Sequence, residues 1–133
     1  DMLMRGSGTI INLTSEAGMV DPPLKLADGG GSFAHGATKA ALHRMAGILH
    51  LEYHEQGIRA YNVEPGLVAS ESMIAVMGEV SALETMGIRS VPVTVPAAVI
   101  RWLCEQDTAG TMSGQNIHAQ PFCKQYHLLE NWP

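Results

Sequence analysis

The sequence predicts an α/β protein built on parallel strands, and three observations predict it. Strand-like and helix-like segments alternate along the 133 residues: Thr9–Thr14, Ala34–Gln56, Ile58–Val63, Pro96 to about Gln106, and Gly114–Ala119. A helix between successive strands is the connection that parallel neighbours require. The first run, Thr9-Ile10-Ile11-Asn12-Leu13-Thr14, is rich in β-branched residues, as a buried strand is. A hydrophobic fraction of 46% against 16% charged residues suits one packed domain and is too apolar for disorder.

Taken in order, the first strand follows Gly6-Ser7-Gly8 and ends at Thr14-Ser15. Glu16 to Ser32 reads as loop, because Asp21-Pro22-Pro23 stops regular structure and Gly29-Gly30-Gly31 is permissive. From Ala34 to Gln56 the apolar residues Leu42, Met45, Ala46, Leu49 and Tyr53 recur at helical steps, predicting one buried face. Gly57 is placed to end that helix in a left-handed conformation. Ile58–Val63 is a second strand, stopped by Pro65-Gly66. Ser70 to Gly87 predicts one or two short helices broken at Gly78 and Gly87. Pro96 suits the first turn of a further helix. Gly114–Ala119 predicts a third strand, and Pro121–Pro133 one or two helical turns centred on Phe122 to Leu129.

Charge and composition exclude several classes of function. A net charge of −5 with a pI near 5.6 lacks the basic face that nucleic acid or an anionic membrane surface requires. Cys104 and Cys123 have neither metal-site nor disulfide-framework spacing, so a reducing cytoplasm is expected. No apolar run is long enough to span a bilayer.

Several residues could carry chemistry. Ser15 stands at the carboxyl end of the first strand, where open α/β sheets bind ligands. Its hydroxyl could bond a substrate carbonyl or simply cap a turn. Lys39 falls near the start of the long helix, four residues after His35 and on the same side. The macrodipole disfavours a cation there, which argues for a functional reason. His43, His50 and His54 lack a third ligand and a carboxylate motif, so they are read as solvated residues and no metal is expected. Met73 to Met86 reads as a lid or core filler.

Phe33-Ala34-His35-Gly36-Ala37-Thr38-Lys39, with Gly8–Ser15 before it and Ile58–Gly66 after it, resembles the second half of a short-chain dehydrogenase/reductase. The likeness runs from Met4-Arg5-Gly6-Ser7-Gly8 to Thr111-Met112-Ser113-Gly114-Gln115-Asn116-Ile117. It implies an incomplete Rossmann-type, doubly wound parallel sheet, with residues 1–133 as the C-terminal part of an NAD(P)-binding domain. The implied activity is hydride transfer between an alcohol and a ketone with NAD or NADP. By the resemblance Ser15 orients the carbonyl, residue 35 donates the proton, and Lys39 serves both cofactor and acid. Pro65, Gly66, Val68 and Ser70 would meet the nicotinamide.

The family's Tyr-x-x-x-Lys tyrosine is here His35, and its glycine-rich phosphate turn has no counterpart in these residues. The chain alone is therefore expected to bind the dinucleotide weakly or not at all. It is expected to associate through an uncovered sheet edge, and as a homo-oligomer through the helix at 34–56. The alternative function is a catalytically inactive remnant or assembly partner of the same fold.

Overall fold

The computed structural model describes residues 1–22, 25, 31–71, 74–75, 90–130 and 132. A short helix α1 (Met2–Arg5) leads into β1 (Gly8–Leu13), and the long helix α2 spans Phe33–Tyr53. After a 3-10 turn at His54–Gln56 the chain enters β2 (Ile58–Glu64). Then follow α3 (Thr94–Glu105), a 3-10 turn at Asp107–Met112, β3 (Asn116–His118) and α4 (Ala119–Gln125). The helices expected within Ser70–Gly87, the stretch Met73–Met86, and Gly29-Gly30 fall largely outside the described residues.

The strands form one parallel sheet in the order β1-β2-β3. The register pairs Gly8 with Ile58 through Leu13 with Val63, and Asn62 with Asn116 through Glu64 with His118. Every strand therefore ends at the same side of the molecule.

Side chains alternate across β2, and the two faces differ in character. Tyr61 and Val63 join Ile117 in a cluster with Val95, Val99 and Leu103 of α3 and Phe122 and Cys123 of α4. Trp102 meets Phe122 edge-on with centroids 5.2 Å apart, and Phe122 stacks on Tyr126 at 4.4 Å. Offset and edge contacts of this kind add to simple burial and lock α3 to α4. Burial pushes the Tyr61 phenol and the Cys123 thiol above their ordinary pKa values, as expected for groups held in the core.

The opposite face, under α2, carries Ile58 at the start of β2 and becomes smaller and polar toward its end. Ala60 and Asn62 of β2 and Ala46 of α2 are wholly buried there. Ser32 caps α2 by accepting from the His35 N–H, and Gly57 (φ 79) follows its last turn as expected.

The helix meets the sheet along a different stripe from the one its apolar spacing predicts. Lys39 reaches the Leu13 carbonyl, His43 reaches that of Ser15, and His50 abuts Gly114. Of the five predicted core positions only Ala46 is fully buried, and Met45 is 40% exposed. The reason is that the stripe meeting the sheet is polar as well as small, with Lys39, His43 and His50 beside Ala46, so apolar spacing does not mark it. The other side leaves Phe33, Ile48 and Leu51 in solvent.

The tail also differs from expectation. Its helix runs from Ala119 to Gln125, and it starts before Pro121 because proline fits the first turn of a helix already begun.

Candidate active site

The carboxyl ends of β1, β2 and β3 carry Ser15, Glu64 and His118, and Lys39 and His43 of α2 reach the end of β1. Ser15 is half-buried with an extended backbone (φ −160). Its hydroxyl accepts the Ala17 N–H at 3.3 Å, capping the 3-10 turn Glu16–Gly18. The hydroxyl proton remains free of that contact, so turn-capping and carbonyl-binding are compatible roles. The turn sits tightly on α2: a Cβ at Gly18 would fall 2.5 Å from the Ala40 nitrogen.

Lys39 Nζ donates to the Leu13 carbonyl at 2.7 Å. That bond uses one of three ammonium protons and fixes the cation at the end of β1, two residues from Ser15. His35, by contrast, has an exposed side chain, and its recorded hydrogen bonds are made by its backbone. With Met19, Val20, Phe33 and Ala37 it lines a cavity of about 580 Å³ between the Ser15 turn and the start of α2. Lys39 and Ser15 therefore share the strand end, while His35 faces the adjoining cavity.

His43 does not belong to a solvated face, contrary to the sequence expectation. Its Nε2 lies 3.3 Å from the Ser15 carbonyl and its Nδ1 3.3 Å from Asn116 Oδ1. The ring closes a row of asparagines that the register aligns across the sheet, Asn12, Asn62 and Asn116. Asn12 Nδ2 donates to Asn62 Oδ1 at 3.0 Å. Asn62 Nδ2 in turn donates to the His43 carbonyl at 2.8 Å and to Asn116 Oδ1 at 2.7 Å. A carbonyl can only accept, so that contact fixes which way the Asn62 amide points and hence the whole row. Spacing could not reveal this array, because the three asparagines are far apart in sequence and meet only through strand register. His50 and His54 stack at 4.4 Å, and no group of three possible metal ligands occurs among the described residues.

The Pro65-Gly66 turn leaves β2 with Gly66 left-handed (φ 77) and its α-carbon against the Gln120 side chain. A Cβ there would be both strained and obstructed. Beyond it, Leu67 accepts from the Val91 N–H at 2.8 Å and Ala69 donates to the Val91 carbonyl at 3.0 Å. The backbone around Val68 and Ser70 is thus pinned beside the strand ends. Thr14, only 2% exposed, has a hydroxyl without a hydrogen-bond partner among the described residues. An unsatisfied buried hydroxyl is costly and is a natural place for a ligand or water to bond.

A family model described as short chain dehydrogenase matches residues 1–79. An uncharacterised oxidoreductase of Thermotoga maritima is 34% identical over 74 residues, which are 56% of this chain and 27% of that protein. Gluconate 5-dehydrogenase of Burkholderia cenocepacia, solved with NADP and tartrate, superposes with a TM-score of 0.72 at 20% identity. The match covers 88% of this chain and 45% of that one. A 7α-hydroxysteroid dehydrogenase, solved with NADH and 7-oxo glycochenodeoxycholic acid, gives 0.70 at 20% identity, over 88% and 44%. At such identities the structural likeness establishes the fold, an α/β Rossmann-like arrangement. The chain spans less than half the length of these relatives.

Proposed function

This chain belongs to the short-chain dehydrogenase family, and from that membership we propose that residues 1–133 are the C-terminal part of an NAD(P)-dependent oxidoreductase acting on an alcohol/ketone pair. The observation that carries the reading is the convergence of Lys39 and Ser15 at the end of β1, where Lys39 Nζ holds the Leu13 carbonyl at 2.7 Å. In open α/β sheets that is the side on which ligands bind.

The residues suit the nicotinamide–ribose end of such a cofactor. Lys39 has two further N–H groups for ribose hydroxyls, and Thr14 offers a buried hydroxyl unpartnered among the described residues. Pro65 and Gly66 form the turn, and the Val68 backbone and Ser70 hydroxyl would meet the carboxamide. The bound dinucleotide would supply the hydride acceptor or donor. Ser15 would hold the substrate oxygen through its free hydroxyl proton. Residue 35 would exchange the proton with that oxygen, and Lys39 would sustain it electrostatically. The sequence has no Thr-Gly-x-x-x-Gly-x-Gly segment to cradle a pyrophosphate, so residues 1–133 alone would bind the dinucleotide weakly or not at all. The unpaired thiols Cys104 and Cys123 suit a reducing cytoplasm. No helix among the described residues is long and apolar enough to cross a membrane.

The test uses the full-length protein and a panel of alcohols and ketones, following nicotinamide absorbance. Dinucleotide binding is expected, with turnover impaired by His35, and Lys39→Met should weaken cofactor affinity by about tenfold, the loss of a charge-assisted hydrogen bond. A full-length protein that neither binds a dinucleotide nor turns over any of the panel would refute the reading.

The rival reading, an assembly partner, is favoured by one feature. Phe33 is 79% and Leu51 78% exposed on a single side of α2. Such a stripe suits a homo-oligomeric contact between two copies of the helix. Leu51→Lys should shift the full-length protein toward monomer by light scattering. An unchanged mass would place the contact elsewhere.

A further inference from the structure

Glu64 plays no part in the reading above, yet its carboxylate bonds the turn that is read as the nicotinamide seat. It ends the central strand and pairs in register with His118. Its side chain is only 13% exposed. One carboxylate oxygen accepts the Gly66 N–H at 2.8 Å, and the other lies 3.6 Å from His118 Nδ1. The carboxylate is therefore tied to the same Pro65-Gly66 turn that is read as the nicotinamide seat. Alternation from Asn62, which bonds the α2 backbone, puts Glu64 on the α2 side of the sheet, the side of Lys39 and His43.

We propose that Glu64 is a specificity-determining residue, whose carboxylate biases this site toward the oxidised, cationic nicotinamide over the reduced, neutral one. The inference rests on the proposed cofactor site and deepens it. The two redox forms have nearly the same shape and differ at the ring by a unit positive charge. A fixed, poorly solvated anion discriminates between them, whereas hydrogen bonds to the carboxamide serve both equally. The neighbouring charges that act on the ring from α2 are the Lys39 ammonium and the imidazoles of His35 and His43 when protonated. All of these oppose the oxidised ring. Glu64 is a largely buried carboxylate that counters them from the strand ends, and His118, when protonated, attenuates it. A unit charge within about 12 Å, at an effective dielectric of about 20, changes relative affinity roughly tenfold.

The experiment measures dissociation constants of oxidised and reduced dinucleotide for the full-length protein and its Glu64→Gln variant. Glutamine keeps an oxygen acceptor for the Gly66 N–H and removes the charge. The ratio of the two affinities is expected to move about tenfold toward the reduced form. A second measurement uses an analogue with a neutral benzamide ring in place of the pyridinium. The affinity of the oxidised dinucleotide relative to that analogue should fall about tenfold from the wild-type protein to Glu64→Gln. Ratios unchanged within about twofold in both measurements overturn the proposal while leaving the cofactor site intact. Failure of the wild-type protein to bind either form overturns the cofactor reading itself.

Discussion

The His35→Tyr variant of the full-length protein is expected to turn over substrate at least about tenfold faster than the wild type, a gain of about 1.4 kcal/mol in transition-state stabilisation. A positioned proton donor contributes on the order of 10² to 10⁴ in rate, which sets the ceiling. Two observations motivate the expectation. His35 is exposed in the first turn of α2, and none of its recorded hydrogen bonds involves the ring. Lys39 lies one turn further on, with its ammonium group held at the strand end. A phenol at position 35 would gain from that cation, which favours phenolate character in the group giving up a proton. An imidazole is also shorter. Its far nitrogen falls roughly 2 Å short of a tyrosine hydroxyl, against a hydrogen-bond reach of about 3 Å.

The comparison is made on kcat as well as kcat/KM. A tyrosine that repairs the chemistry raises kcat, whereas one that only fills the adjoining cavity changes KM alone. If the wild type is already fast and tyrosine slows it, histidine is a working acid and the expectation of impaired catalysis fails.

The fold was legible because its signals are local. β-branched runs, helical spacing, Gly57 after α2 and Pro65 after β2 each specify their element within a few residues. The first strand and the long helix come within two or three residues of their observed bounds. Ser15 and Lys39 were legible through their order along the chain, and the structure brings both to the end of β1. What stayed hidden depends on register or on helix rotation. The asparagine row, and the pairing of Glu64 with His118, exist only because β1, β2 and β3 align at particular residues. The orientation of α2 is not legible in apolar spacing, because the stripe that meets the sheet carries Lys39, His43 and His50 beside Ala46. Small Ala46 over a face containing Ala60 and Asn62 decides the matter, and bringing His43 onto the strand ends follows from it.

That row makes Asn62 the residue whose loss should cost the fold most for its size. Asn62→Ala is expected to destabilise the protein by about 3 kcal/mol, read from the midpoint and slope of denaturant unfolding. Its side chain is wholly buried and makes three hydrogen bonds, to Asn12, His43 and Asn116. Truncation leaves the Asn12 amide and two oxygens without their partner, at about 1–3 kcal/mol for each group that water fails to reach. Asn62→Asp is the sharper test, because it changes almost no volume. The aspartate can still accept from Asn12, but it turns oxygen toward the His43 carbonyl and Asn116 Oδ1, which are acceptors. Asp should therefore be at least as damaging as Ala, the reverse of what a packing argument gives. A loss under about 1 kcal/mol for both variants would show that the row is ornamental to stability. If both losses are large, the turn carrying Ser15 should loosen with them, since His43 bridges Asn116 and the Ser15 carbonyl. The buried polar row would then connect the stability of the sheet to the placement of the hydroxyl proposed to hold the substrate.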